Sequence, residues 1–190
     1  MLMVYYKYLN YNITKSNNLG NITMKKFVFL FSLILFATPT LASSIPTEIG
    51  EYGDWTAYSY KDGKNLVCYM ASTPKRDEGN YKRRGEIYAV VTHRPAEKSY
   101  NVVNFVAGYN YKTGSNVVVK IGAKSFNNLF TSGENAWAPD SATDKMLINS
   151  MKRGERMIVE GQSMRGTKTK DTYSLSGFTG AYRAISAKCR

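Results

Sequence analysis

Between residues 55 and 175 the chain alternates apolar and polar positions in short runs broken by turn chemistry, a period of two that predicts strands. Trp55-Thr56-Ala57-Tyr58-Ser59-Tyr60 alternates and is rich in aromatic residues. Lys61-Asp62-Gly63-Lys64 then supplies a hairpin turn, with Asp-Gly as its strongest signal, and Leu66–Ala71 returns as the second strand. Ser72–Tyr81, holding Pro74, Gly79 and a cluster of charges, reads as a loop. Further strands are expected at Glu86–Thr92, Val102–Gly108, Asn116–Ile121, Phe126–Phe130, Met157–Glu160 and Thr172–Leu175, with turns around Pro95 and Gly122-Ala123. About eight short strands at this spacing suit a mainly β fold, a single-domain sandwich or barrel-like antiparallel sheet.

Two segments switch to helical spacing. Ser141-Ala142-Thr143-Asp144 reads as a capping box with Ser141 as N-cap and Asp144 returning toward it, ahead of Leu147, Ile148 and Met151. In Thr179–Lys188, Ala181, Tyr182, Ile185 and the following Cys189 mark one face. An apolar stripe of this kind packs on a sheet.

A third pattern precedes both. From Met24 the chain reads MKKFVFLFSLILFATPTLA: Lys25 and Lys26 form a positive start, Phe27 to Ala37 an apolar run, and Thr40-Leu41-Ala42 a small-residue cleavage site. The run is shorter than the roughly 20 residues a transmembrane helix needs. Residues 24–42 are therefore expected to be a signal peptide cut after Ala42. Residues 1–23, dominated by Tyr, Asn, Lys and Ile without a periodic face, read as an upstream extension before the true start at Met24. Residues 43–190 form the expected single secreted domain, large enough to bury a core without metals. Ser43 and Ser44, rather than a Cys, follow the cleavage point, so no lipid anchor is expected.

Composition sharpens this picture in two respects. The formal charge of +12 falls to +8 without residues 1–42, which hold four Lys and no acids. The densest basic run is Lys82-Arg83-Arg84, preceded by Lys75-Arg76 and Asp77-Glu78; a second group, Arg165, Lys168 and Lys170, stands near Tyr173. Lys82, Arg83, Arg84, Arg165 and Lys168 are thus a candidate anion-binding surface, the alternative being solvated loop charges. Outside the cytoplasm such a surface meets anionic envelope lipids or acidic polysaccharide before nucleic acid. The chain also holds only two cysteines, Cys68 and Cys189. An even count in an oxidising compartment argues for a disulfide. Closing a loop of that length is worth about 4 to 5 kcal/mol in the chain-entropy model.

Candidate chemistries are thin. His93 is the sole histidine, and without a Gly-x-Ser-x-Gly elbow it reads as a strand-edge residue in a polar loop rather than a triad base. One His and two paired Cys cannot build a zinc site, no Asp-rich calcium loop is present, and no glycine-rich phosphate loop follows a strand. No catalytic, cofactor or metal residue is assigned. Paired carboxylates for glycoside hydrolysis stay open, because separation in space is invisible in a sequence. Trp55 and Trp137 read as core aromatics, and alternating Tyr as cover for a sheet face.

Several segments stand in a specific order: Gly53-Asp54-Trp55, Cys68-Tyr69-Met70-Ala71-Ser72 with Pro74, Arg84-Gly85-Glu86-Ile87-Tyr88, Gly108-Tyr109, Phe126-Asn127-Asn128-Leu129-Phe130 and Ala136-Trp137-Ala138. Met151-Lys152-Arg153-Gly154, Arg165-Gly166-Thr167, Tyr173-Ser174-Leu175-Ser176-Gly177-Phe178 and Cys189 continue it. From about Gly53 to Cys189 the chain resembles the invasion-associated locus B family of Gram-negative secreted proteins. The resemblance implies a signal peptide, a β-rich globular domain, an envelope or surface location, a link to host-cell invasion and no enzymatic activity. Many members carry a further Cys shortly after the early Trp, where this chain has Tyr58, which leaves one simple disulfide here.

The expected function is binding: a periplasmic or secreted protein, with outer-membrane association as one option. It would contact an envelope component or a host or neighbouring surface, either protein or anionic glycan, and neither nucleic acid nor a cofactor. The alternatives are a small periplasmic hydrolase using dispersed carboxylates and an envelope assembly factor.

Overall fold

A computed structural model describes residues 45–190. The expected signal peptide at 24–42 and the extension at 1–23 lie outside the described residues. Eleven strands form one open antiparallel sheet: β1 (Thr47–Tyr52), β2 (Trp55–Asp62), β3 (Asn65–Ser72), β4 (Arg76–Gly79), β5 (Tyr88–Arg94), β6 (Ser99–Val106), β7 (Val117–Ile121), β8 (Lys124–Ser132), β9 (Asn135–Trp137), β10 (Arg156–Gln162) and β11 (Lys168–Ser174). Two helices complete the fold, α1 (Ser141–Met151) and α2 (Phe178–Lys188).

The strand order is β1-β2-β3-β5-β6-β9-β8-β7-β10-β11-β4, so among the described residues β1 and β4 are the edge strands and the sheet does not close into a barrel. Strand β8 makes the corner. Its first part pairs with β7 and its last residues, Phe130 to Ser132, pair with β9. The sheet thus bends into two halves whose inner faces share one core.

Three strands exceed the eight expected. β1 and the three-residue β9 carry little alternation, and β4 replaces part of the expected loop at Ser72–Tyr81. Arg76-Asp77-Glu78-Gly79 holds no apolar residue; it is a strand because its backbone pairs with β11, Lys170 opposite Glu78 and Thr172 opposite Arg76. Cross-strand pairing of opposite charges supports such an edge.

The N-cap also moves by one residue. Asp140, not Ser141, accepts the Thr143 N–H at 2.7 Å. Asp144 is 7 % exposed and its Oδ1 accepts the Val103 N–H of β6 at 2.9 Å, fastening α1 to the sheet instead of closing a capping box.

Helix α2 lies against the inner faces of β1, β2, β3 and β5. Its stripe of Phe178, Ala181 and Ile185 is fully buried, with Phe178 edge-on to Trp55 at 4.9 Å between ring centres. Each such large side chain contributes about 1.5 to 3 kcal/mol of burial. Cys189, directly after the helix, bonds to Cys68 of β3 with 6.0 Å between the Cα atoms. The Trp55 indole N–H donates to the Ser174 carbonyl and the Asp54 N–H to that of Ser176, which brings β2 to the chain leaving β11. Gly177 makes this approach feasible: its φ is +84°, and a Cβ there would overlap the Tyr52 carbonyl.

Candidate binding surface

The five residues of the candidate anion surface separate into two environments. Lys82, Arg83, Arg165 and Lys168 are exposed. Register places them toward one end of the second half of the sheet: Arg165 lies in the β10–β11 turn, and Gly79, opposite Thr169, leads into Lys82 and Arg83. Arg84 points inward instead. Its side chain is 4 % exposed, and both arms of its guanidinium donate to Asp171 of β11 at 2.6 Å. Its Nε donates to the Ala107 carbonyl, and the Tyr109 ring lies 5.1 Å away. Burial alone would lower the Arg84 pKa, but the Asp171 carboxylate outweighs it and the guanidinium holds its proton more firmly than usual. Arg84 is therefore no part of an anion-binding surface, because Asp171 already occupies it.

Lys168 and Lys170 line a cleft of about 710 Å³ that also contains Glu78 and Glu160. Lys170 pairs with Glu78 at 2.9 Å and Lys120 with Glu160 at 2.8 Å. The cleft therefore carries matched charges, a weak attractor for an anion. Glu78 also suits the role of a general acid poorly. Lys170 holds Glu78 below its ordinary range, whereas a general acid needs a raised pKa.

His93 differs from its expected place in a polar loop. It lies on the inner face of β5, 2 % exposed, because the strand runs two residues past the expected end at Thr92 and buries it under α2. The Asn101 N–H donates to its Nδ1 at 3.0 Å, and Nε2 lies 3.1 Å from Ser186 Oγ. Nδ1 also lies 3.2 Å from the Thr92 carbonyl, so the ring is held from both sides of Nδ1 and at Nε2 by the hydroxyl of Ser186. The contacts of the ring are a carbonyl, a backbone N–H and a hydroxyl, and no carboxylate among the described residues stands behind Nδ1 as a triad acid would. Burial pushes the His93 pKa below its usual value. A shallow cavity of about 310 Å³ adjoins it, lined also by Tyr100, Tyr182 and Cys189.

The two halves of the sheet differ sharply on their outer faces. Across β7, β10, β11 and β4 the outward positions form a ladder of opposite charges, with Lys120, Glu160, Lys170, Glu78 and Arg76 in ion pairs. Across β2, β3, β5, β6, β9 and β8 the corresponding positions carry six aromatic rings: Tyr58, Tyr60, Tyr69, Tyr88, Trp137 and Phe130. Register places Tyr58 opposite Tyr69, Tyr69 opposite Thr92, Asn104 opposite Trp137, and Trp137 opposite Phe130. Tyr58 and Tyr69 stack at 5.1 Å, and Phe130 and Trp137 at 5.6 Å. Among the described residues no α-helix packs on this face: α2 lies on the inner side, and α1 buries Leu147, Ile148 and Met151 in the core.

Charge is confined to its margin. Arg94 reaches the Tyr60 hydroxyl and the Asp62 and Glu97 carboxylates, and Glu86 accepts from the Tyr88 hydroxyl. Burial raises the Tyr69 pKa to about 12, so its phenol stays neutral at physiological pH. Trp137 is a partly buried member of this face and not a core residue, whereas Trp55 is fully buried as expected.

A family model described as Invasion associated locus B (IalB) protein matches residues 55–186. The chain belongs to this family. No curated protein and no solved structure matches the chain. The IalB span runs from the first residue of β2 into α2, and so includes all six rings and the Arg84–Asp171 pair. Membership supports a surface-associated bacterial protein of a family not known for enzymes. The disulfide fits an extracellular or periplasmic setting. Among the described residues no helix is long and apolar enough to cross a membrane.

Sequence reasoning read alternating Tyr as cover for a sheet face but did not join the rings of separate strands, with Phe130 and Trp137, into one surface. The available signal was phase: Tyr58 and Tyr60 fall on the strand positions opposite the buried Trp55, Ala57 and Ser59.

Proposed function

We propose that this IalB-family protein is exported by cleavage after Ala42 and acts by binding, contacting an envelope component or a host or neighbouring surface. The observation that carries this reading is the uncharged aromatic face that no α-helix among the described residues covers, on a sheet whose other half bears the ion-paired exterior of an ordinary solvated surface. Aromatic residues are enriched, and charges depleted, at the centres of recognition sites.

The test is photocrosslinking in intact cells. A photoreactive side chain at Val90, within the aromatic face, should capture a discrete partner, and one at Lys120 in the charged half should not. Equal capture from both positions, or none from Val90, would overturn the reading. So would turnover on a hydrolase panel that a single carboxylate or His93 substitution abolishes. Mass analysis of the cell-derived protein should place its first residue at Ser43.

A further inference from the structure

The aromatic face has a chemistry narrower than binding in general, and the inference here rests on the binding reading above. Its six strands span five steps of about 4.8 Å, and its outward residues run roughly five positions at about 3.4 Å each. The resulting patch is roughly 24 by 17 Å, or about 400 Å². A stable protein–protein interface needs about 800 Å² from each partner, so this face is about half the required size for a second copy or a globular partner. An elongated ligand of small cross-section fits it better.

The polar groups among the rings are uncharged. Thr92, Asn104 and Asn135 occupy the centre with the tyrosine hydroxyls around them, and the charged side chains stand at the ends of the strands. Asn104 is 7 % exposed; its Nδ2 donates to Asn135 Oδ1 at 2.9 Å, while its own Oδ1 has no hydrogen-bond partner among the described residues. A buried amide oxygen without a donor is uncommon and costs free energy. Ring pairs beside uncharged donors and acceptors, with one acceptor unspent, match a ligand that is apolar on its ring faces, rich in hydroxyls and without charge.

We infer that the outer face of β2, β3, β5, β6, β9 and β8 binds an uncharged oligosaccharide chain. Tyr58, Tyr69, Phe130 and Trp137 pack against sugar rings, and a sugar hydroxyl or amide N–H donates toward Asn104. This departs from the basic residues suggested by sequence: the ligand carries no charge and avoids the Lys82, Arg83 and Lys168 end of the molecule.

Tryptophan fluorescence of the purified protein titrated with chitohexaose, cellohexaose and a heparin hexasaccharide tests the inference. Trp55 is fully buried, so a change on binding reports Trp137. The expected result is a saturable change with at least one uncharged probe, nearly independent of salt. Tyr69→Ala should weaken it about tenfold or more, the scale of losing one stacked ring, and Asn104→Leu should weaken it at temperatures well below its own unfolding midpoint, which loss of the donor to Asn135 lowers. Lys168→Ala and Lys170→Ala should leave it unchanged. Calorimetric titration of Trp137→Ala supplies the reading that fluorescence then cannot.

Failure of both uncharged probes to saturate at millimolar concentration would overturn the inference, as would binding of the heparin probe alone with steep salt dependence. Concentration-dependent dimerisation abolished by Tyr69→Ala would assign the face to a second copy and also overturn it. If the Val90 crosslink in cells captures only protein and no sugar binds, the oligosaccharide is refuted and the binding function stands. If Val90 captures nothing, both fall.

Discussion

Replacing Asp171 with alanine strands the Arg84 guanidinium inside the protein, and the size of that penalty measures how the two halves of the sheet are joined. The two side chains are 4 % and 5 % exposed, and the bidentate pair is the only carboxylate contact Arg84 makes among the described residues. Removing one partner from a buried pair costs about 3 to 5 kcal/mol, because the remaining charge is left desolvated and uncompensated. That is a large part of a total stability of about 5 to 15 kcal/mol. At roughly 2 to 4 °C per kcal/mol for a chain of this size, the melting temperature should fall by roughly 6 to 20 °C. Arg84→Met combined with Asp171→Leu should recover most of the loss, since removing both charges leaves neither unpaired. As a comparison, Lys120→Ala breaks a pair whose partners are 45 % and 36 % exposed, and should cost less than about 1 kcal/mol. Calorimetry or urea unfolding of the four proteins decides the matter. The reasoning fails if Asp171→Ala melts within the range of Lys120→Ala, or if the double variant is as unstable as the two single changes summed.

Reducing the Cys68–Cys189 bond, or changing both residues to serine, should lower stability by about 4 to 5 kcal/mol because the bond closes a loop of sequence separation 121; coincident unfolding midpoints with and without reductant would contradict this. His93 is held below its ordinary pKa by burial, so the unfolded chain takes up the proton first. Its contribution is complete above about pH 6.5 and fades as pH falls through the lower folded value. Stability measured from about pH 7 down to about pH 5 should therefore decline less steeply in His93→Gln than in the parent, and parallel curves would refute the assignment. Gly177→Ala should cost well over 1 kcal/mol, from the left-handed backbone and the overlap with the Tyr52 carbonyl together. Gly63→Ala, also at positive φ but in open space, should cost only the backbone part; equal melting temperatures for the two variants would show that the approach at Tyr52 relaxes freely.

Local chemistry made much of this fold readable. Period-two alternation marked β2, β3, β5 and β6 because a strand places successive side chains on opposite faces whatever its neighbours are. Two cysteines with no other partner marked the disulfide. The segments at Ser141 and Thr179 were readable as helices from the spacing of Leu147, Ile148 and Met151 and of Ala181 and Ile185. The exact cap was not: Asp140 and Ser141 are both good N-caps, and only the position of the Thr143 N–H chooses between them.

Strand β4 could not be found locally, since Arg76-Asp77-Glu78-Gly79 becomes a strand through backbone bonds that β11 supplies from nearly a hundred residues away. Lys82, Arg83 and Arg84 are alike in sequence, yet the fold sends the third into the core because Asp171 waits there. Tyr58 and Tyr69 likewise read as ordinary strand residues one at a time, and Trp137 as a core aromatic. They become one surface only when the strand order β2-β3-β5-β6-β9-β8 sets their rings side by side. Sequence determined which way each side chain alternates, a property of the single strand. The company each side chain keeps depends on contacts between distant segments, and tertiary structure alone decided that.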